Sequence, residues 1–414
     1  MRAALKFLLI VALLSTATAI FAQEPLRTTG VTWSPDGRLI AVSSTDGHIT
    51  LIDASSGTIV GGIELSVESS VNLTWNPDGT RLATVSYADG VIQIWDTSVP
   101  TKPQFVARLP EQLTPEQGGT LLSWNSTGDY LAGTSLRGHA PSEVFIWQVN
   151  GDTWTTLNNQ LSVQPYDLVW SSDGQTLAIA TSNDNLIVDV ASSEVNERFR
   201  FGDFRFDLAI NPSGGKIAGI LKSYVYLVPQ ENENSIEIRD LQTGEVVTIL
   251  NNTVEPVIMN LTWLTDTYLL ADNVDGSAIV WDTRTGEVIN TLTLPRDGGR
   301  WLMAVSPFGG RVAFGNAAPS GVLRTEGRAL SPNIEIIADG QVMFAVPLAT
   351  EDVLREVLSR CGLASGTSDA LAAGIDRAAM PAFIAEVESL PADAMIPACK
   401  ADLLAVARAL SQIE

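Results

Sequence analysis

The chain has 414 residues, 45% of them apolar, and a formal net charge of −22. That apolar content is ample for a large buried core and excludes a chain that is disordered overall. The charge excludes a protein built to grip phosphate backbones or anionic lipid, which takes clustered Lys and Arg, and reads as a solubilising surface.

In chain order, Arg2 and Lys6 precede an apolar run from Phe7 to Leu14 and then small residues. Ala17-Thr-Ala19 fits a small-x-small cleavage signal, and Ala22 before Gln23 is a second candidate. Residues 1–22 are therefore expected to be a secretory signal peptide, and the protein to be secreted or periplasmic. A retained anchor is the alternative, at the short end for spanning a bilayer.

One phrase then recurs. It reads Trp33-Ser-Pro-Asp-Gly37, Trp75-Asn-Pro-Asp-Gly79, Trp124-Asn-Ser-Thr-Gly128 and Trp170-Ser-Ser-Asp-Gly174. Weaker copies follow at Ile210-Asn-Pro-Ser-Gly214, Trp263-Leu-Thr-Asp-Thr267 and Val305-Ser-Pro-Phe-Gly309. A repeat of about 40–45 residues predicts a β-propeller of four-stranded blades. The second copy shows the unit. Val71–Trp75 is the first strand, and Pro77-Asp78-Gly79 makes a tight turn. Arg81–Ser86, Val91–Trp95 and Gln104–Arg108 are the next three strands. The expectation is an all-β, seven-bladed propeller of four-stranded antiparallel blades within residues 23–348. In the last blade Ile334–Ile337 is expected as the third strand and Gln341-Val-Met-Phe-Ala-Val346 as the fourth. Each blade is then encoded whole, and no N-terminal strand is needed to close the ring.

The chain resembles a WD-repeat protein. Trp95-Asp96 and Trp281-Asp282 are the signature dipeptide, and the Trp-x-Pro-Asp-Gly turns are typical of that family. The resemblance implies a seven-bladed propeller that serves as a protein-interaction platform. The Gly-His pair that usually precedes the first strand is missing, so the family's His-Asp-Ser-Trp hydrogen-bond network cannot be carried over. Apolar packing between blades must supply most of the stability.

First-to-second turns are tight throughout, and with the third-to-fourth turns they share one face of the disc. The long connections, Leu109 to Thr120, Leu136 to Glu143, Lys222 to Ser235 and Gly315 to Asn333, are assigned to the other face. Long loops on a rigid scaffold concentrate binding residues. Candidate partner contacts there are Arg137, His139, Arg205, Tyr224, Tyr226, Arg300, Trp301, Arg324 and Arg328. Each also has a plainer reading. Tyr224 and Tyr226 fit the alternation of a hairpin over 222–228, Arg205 that of a strand with one solvated face, and His139 an ordinary loop residue. Asp272-Asn-Val-Asp-Gly276 is half of a calcium loop without the later acidic ligand, and reads as a turn. Asn-x-Thr tripeptides begin at Asn72, Asn125, Asn251 and Asn260; some fall in or beside first strands, which reads as chance.

No nucleophile–base–acid constellation emerges from two histidines, and no phosphate-cradling Gly-x-x-x-x-Gly-Lys is present. No cofactor, metal or nucleic acid is implied.

Beyond Pro347 the period turns helical, and residues 349–414 are expected to form a small helical domain. Leu354, Val357, Leu358 and Cys361 form one stripe ending at Gly362. Pro381 opens a second helix with Phe383, Ile384, Val387 and Leu390; Cys399, Leu403, Val406 and Leu410 form a third stripe. Cys361 and Cys399 are the only cysteines, and in an exported protein they are expected to form a disulfide between first and last helix. The expected function is a non-enzymatic exported scaffold that binds a protein or peptide through the long-loop face. The alternative is a small-molecule or glycan-binding propeller, or a hydrolase, working at the mouth of the central channel.

Overall fold

The computed structural model describes residues 27–412, apart from 66–70, 87, 113–119, 136–141, 151–152, 164, 172, 182–184, 191, 193, 200–203, 222–234, 252–257, 274–275, 295–300, 317–333, 338–341 and 392. These residues form seven four-stranded antiparallel sheets at 28–64, 71–112, 120–163, 165–199, 204–250, 258–293 and 301–345, here blades 1 to 7. Each blade packs on the next through its first strand, and blade 7 packs on blade 1.

Burial follows position in the blade. The second strand of blade 1, Leu39–Ser44, is buried almost throughout, because a neighbouring blade covers each of its faces. The fourth strand, Ile59–Glu64, lies at the rim and is largely open. Apolar clusters fill the joints between blades. Leu39, Leu51, Trp75 and Leu82 join blades 1 and 2; Ala132, Ile146, Trp170 and Leu177 join blades 3 and 4. The fourth strand of blade 2 runs Gln104–Gln112, past the expected end at Arg108 and into the segment read as loop.

Blade 7 departs from the expected order. Val342–Ala345 pairs with the second strand, Val312–Asn316, and Ile334–Ile337 lies outside it. The segment expected third is therefore at the rim, and the one expected fourth is third. Ile334–Ile337 runs in the same direction as Val312–Asn316, since both are antiparallel to Val342–Ala345. Asn316 therefore ends its strand on one face and Ile334 begins the next on the other. It leaves the blade at Ala345 on the tight-turn face, whereas an ordinary fourth strand would end on the opposite one. All four strands of this sheet come from the C-terminal part of the propeller sequence, and among the described residues no N-terminal strand joins it.

Four α-helices and a short 3-10 helix, Arg377–Ala379, follow among the described residues. Helix α1 (Glu351–Arg360) is capped by Thr350, whose hydroxyl accepts the Val353 N–H at 3.2 Å, and it buries Val353, Leu354, Val357 and Leu358. Helix α2 (Ser365–Ala373) was not expected; it buries only Leu371 and has no clear apolar stripe. Helix α3 (Met380–Ser389) begins at Pro381's first turn, and α4 (Pro397–Ser411) packs on α1 and α3. A disulfide joins Cys361, at the end of α1, to Cys399 in α4. Leu264, Phe308, Val312 and Leu348 share one continuous apolar cluster with Val357, Leu358, Leu403 and Val406, so the helices and blades 6 and 7 have a common core. Among the described residues no helix is long and apolar enough to cross a membrane.

Candidate interaction surface

The recurring phrase explains how the disc is built. Its Trp ends the first strand and reaches the preceding blade. The indole N–H of Trp75 donates to Thr32 O at 3.4 Å, Trp170 to Ser123 O at 2.9 Å and Trp263 to Ala209 O at 3.0 Å. Trp33 donates to Ala304 O of blade 7 at 2.9 Å, which joins the two ends of the ring. First strands line the channel and leave carbonyls unused by their own sheet, and the indole satisfies one of them at each of these four joints.

The next residue folds the turn. Ser34 donates to Asp36 Oδ1 at 2.6 Å, and the N–H groups of Arg38 and Leu39 bond back to Asp36 and Ser34. Asn76 with Asp78, and Ser171 with Asp173, repeat the arrangement. The glycine closes it with positive φ. A Cβ on Gly37 would lie 2.6 Å from the Phe308 ring of the preceding blade, so the close approach of neighbouring turns needs glycine.

These bonds set the electrostatics of the tight-turn face. The Ser171 hydroxyl and then the Gln175 N–H hold Asp173 below the usual carboxylate range. The Thr243 N–H does most to hold Asp240 down, and the Arg284 side chain does so for Asp282. Asp173 and Asp240 therefore hold negative charge on this face, while the charge of Asp282 is paired with Arg284 at 2.7 Å. An open cleft of about 570 Å³ lies there between blades 2 and 3, lined by Asn76, Asp78, Arg81, Trp124 and Asp129.

The helical region occupies the same face over blades 6, 7 and 1. Glu356 accepts the Asp266 N–H at 3.3 Å, Arg360 reaches Leu264 O, and Ala398 lies against Gly37. Asp402 of α4 is fully buried and accepts Arg311 Nε at 2.5 Å, the Ser306 hydroxyl and the Gly310 N–H. Neither Asp402 nor Arg311 was singled out from the sequence. The one sign was Phe308, which breaks the Asp/Ser/Thr pattern of the turn phrase.

Connections 113–119, 136–141 and 222–234 join strand ends on the opposite face. Asn316, before the segment with Arg324 and Arg328, ends on that face, and Ile334, after it, begins on the tight-turn face, unlike the expected placement of both on one face. Arg137, His139, Tyr224, Tyr226, Arg300, Arg324 and Arg328 lie outside the described residues. Arg205 and Trp301 are placed near the starts of the first strands of blades 5 and 7, at the ends facing the long connections; their side chains are not among those described.

In the channel, a cavity of about 210 Å³ is lined by Val31, Leu73, Leu261 and Met303 with the amides of Asn72 and Asn260. Asn72 Oδ1 accepts the Leu122 N–H at 3.2 Å, and Asn260 donates to Asp272 at 2.8 Å, so both amides serve the scaffold. Asn125 and Asn260 are buried, which fits the chance reading of their tripeptides.

Residues 18–71 match the family model described as the anaphase-promoting complex subunit 4 WD40 domain, and residues 64–96 match the WD domain, G-beta repeat. Minichromosome loss protein 1 of Schizosaccharomyces pombe is 23% identical over 186 residues, covering 44% of this chain and 22% of that protein. COMPASS component SWD1 of Saccharomyces cerevisiae is 32% identical over 88 residues, covering 20% of each chain. The chain thus spans about a fifth of the length of these curated relatives.

Proposed function

We propose that this chain, which belongs to the WD-repeat β-propellers, is an exported non-enzymatic scaffold that holds a protein or peptide partner on its long-connection face. The observation that carries this reading is the one-sided placement of the C-terminal helices. They cover the tight turns of blades 6, 7 and 1, and the long connections leave strand ends on the other side. A rigid ring with one face used internally offers the other for recognition.

The relatives support the scaffold role. SWD1 is named as a component of COMPASS, and one matching family model derives from a subunit of the anaphase-promoting complex. Export rests on the charged, apolar and small-residue pattern at the N-terminus and agrees with the paired cysteines.

The test is face-resolved cross-linking. A photoreactive residue is placed at position 137 or 224 and, separately, at position 240, and the full chain is exposed to the extracytoplasmic fraction of its source. Adducts with one protein from 137 or 224 and none from 240 are expected. Adducts from 240 alone would put the binding surface on the wrong side of the disc.

A further inference from the structure

We infer that the C-terminal helices are the clasp that closes the ring, with Asp402 standing in for a turn carboxylate that blade 7 lacks. In blades 1, 2 and 4 the residue after the Trp corner donates to an aspartate two positions on, and that aspartate also accepts the N–H four positions on. The sets are Ser34, Asp36 and Arg38; Asn76, Asp78 and Thr80; and Ser171, Asp173 and Gln175. In blade 7 the same places hold Ser306, Phe308 and Gly310. Phe308 has no oxygen to offer, and both donors turn instead to Oδ2 of Asp402, 96 residues further along the chain than Ser306. The bond pattern of the turns in blades 1, 2 and 4 is thus completed in blade 7 by a carboxylate from the helical region.

The second oxygen of Asp402 extends the contact across the joint. Oδ1 accepts Arg311 Nε at 2.5 Å, and Arg311 Nη1 donates to Ala54 O of blade 1 at 2.8 Å. The guanidinium carbon sits 5.2 Å from the centre of the Trp33 ring, whose indole N–H bonds back to Ala304 of blade 7. Both members of this ion pair are buried, and removing one partner of a buried pair is costly, so the clasp and the joint depend on each other.

This joint needs such a device. Adjacent blades elsewhere are linked by the chain; blades 7 and 1 are not, and closing them costs entropy that contacts must offset. Their apolar cluster is lean: Trp33, Ile40, Val42 and Ile52 from blade 1 meet only Ala304 and Ala313 from blade 7 among the described residues. Two further features deliver Asp402 to its place. The exchanged order of the last two strands brings the chain out on the tight-turn face. The disulfide anchors Cys399, one helical turn before Asp402.

Hydrogen exchange of the full chain tests the inference. Asp402→Ala is expected to speed amide exchange about a hundredfold at the joint, in Thr28–Trp33, Trp301–Val305 and Val312–Asn316, with blades 3 and 4 little changed. The milder Asp402→Asn keeps one acceptor and should give a smaller rise at the same places, and it serves if the alanine variant does not fold. Asp173→Ala is the control and should loosen blade 4 alone. Faster exchange confined to α1 and α4 with the joint still protected, or an even rise over all blades, would overturn the clasp.

Discussion

Trp33 and Trp281 are both buried indoles, yet they are held differently. Trp33 donates across the ring joint to Ala304 O, whereas the indole N–H groups of Trp281 and Trp95 are buried without a hydrogen-bond partner among the described residues. The latter two belong to the Trp-Asp dipeptides, and their state follows from the missing histidine network. Trp33→Phe should therefore destabilise the protein by about 1 kcal/mol more than Trp281→Phe, in which no such bond is lost. Urea unfolding of the two variants checks this; equal costs would show that the closing bond contributes nothing. The turn aspartates make a second prediction. Asp173, Asp240 and Asp282 titrate lower in the folded chain than the ordinary value, so each favours folding above its unfolded pKa of about 3.9. That support disappears as pH falls through the lower folded values. Melting temperature should hold down to about pH 5 and then drop, and Asp173→Asn should flatten the drop. A melting temperature that rises on acidification would contradict the assignment. At this scale the turn residues were legible because the phrase repeats, whereas Asp402 was not: nothing in a helical stripe marks one aspartate as the partner of a turn so distant in sequence.

Among elements, the disulfide carries the clearest prediction. It closes a loop of 38 residues between α1 and α4. In the chain-entropy picture its loss should cost about 4 kcal/mol, measured as a lower midpoint for Cys361→Ser/Cys399→Ser. An unchanged midpoint would mean the shared apolar cluster alone sets the stability of the helices. The stripes of α1, α3 and α4 and the pairing of Cys361 with Cys399 could be read from period and spacing. Helix α2 could not, because Ser365–Ala373 is small and polar and buries little beyond Leu371. The strand order of blade 7 was equally hidden. Ile334–Ile337 and Val342–Ala345 are both short and apolar, so period two marks them as strands without saying which lies next to Val312–Asn316. That choice is made by the partners each strand meets, and by the need to leave the blade on the side where the helices pack.

For the molecule as a whole, the corner phrase specifies the disc twice over. Where the Trp is kept it bonds to the preceding first strand at four joints, and a glycine such as Gly37 nests on the preceding turn, so one phased phrase serves both the blades and their joints. That is why the architecture was legible and a recognition site was not: scaffold contacts recur, while the connections proposed to bind share no sequence pattern. The proposed function puts the partner on the face opposite the helices. Its most direct test is the affinity of that partner for two sets of full-length variants. Arg137→Glu and Tyr224→Ala on the long connections should weaken binding at least about tenfold, a change of about 1.4 kcal/mol, while Asp78→Lys and Asp240→Lys on the tight-turn face should leave it within about twofold. Loss of affinity in the second set with none in the first would contradict the claim.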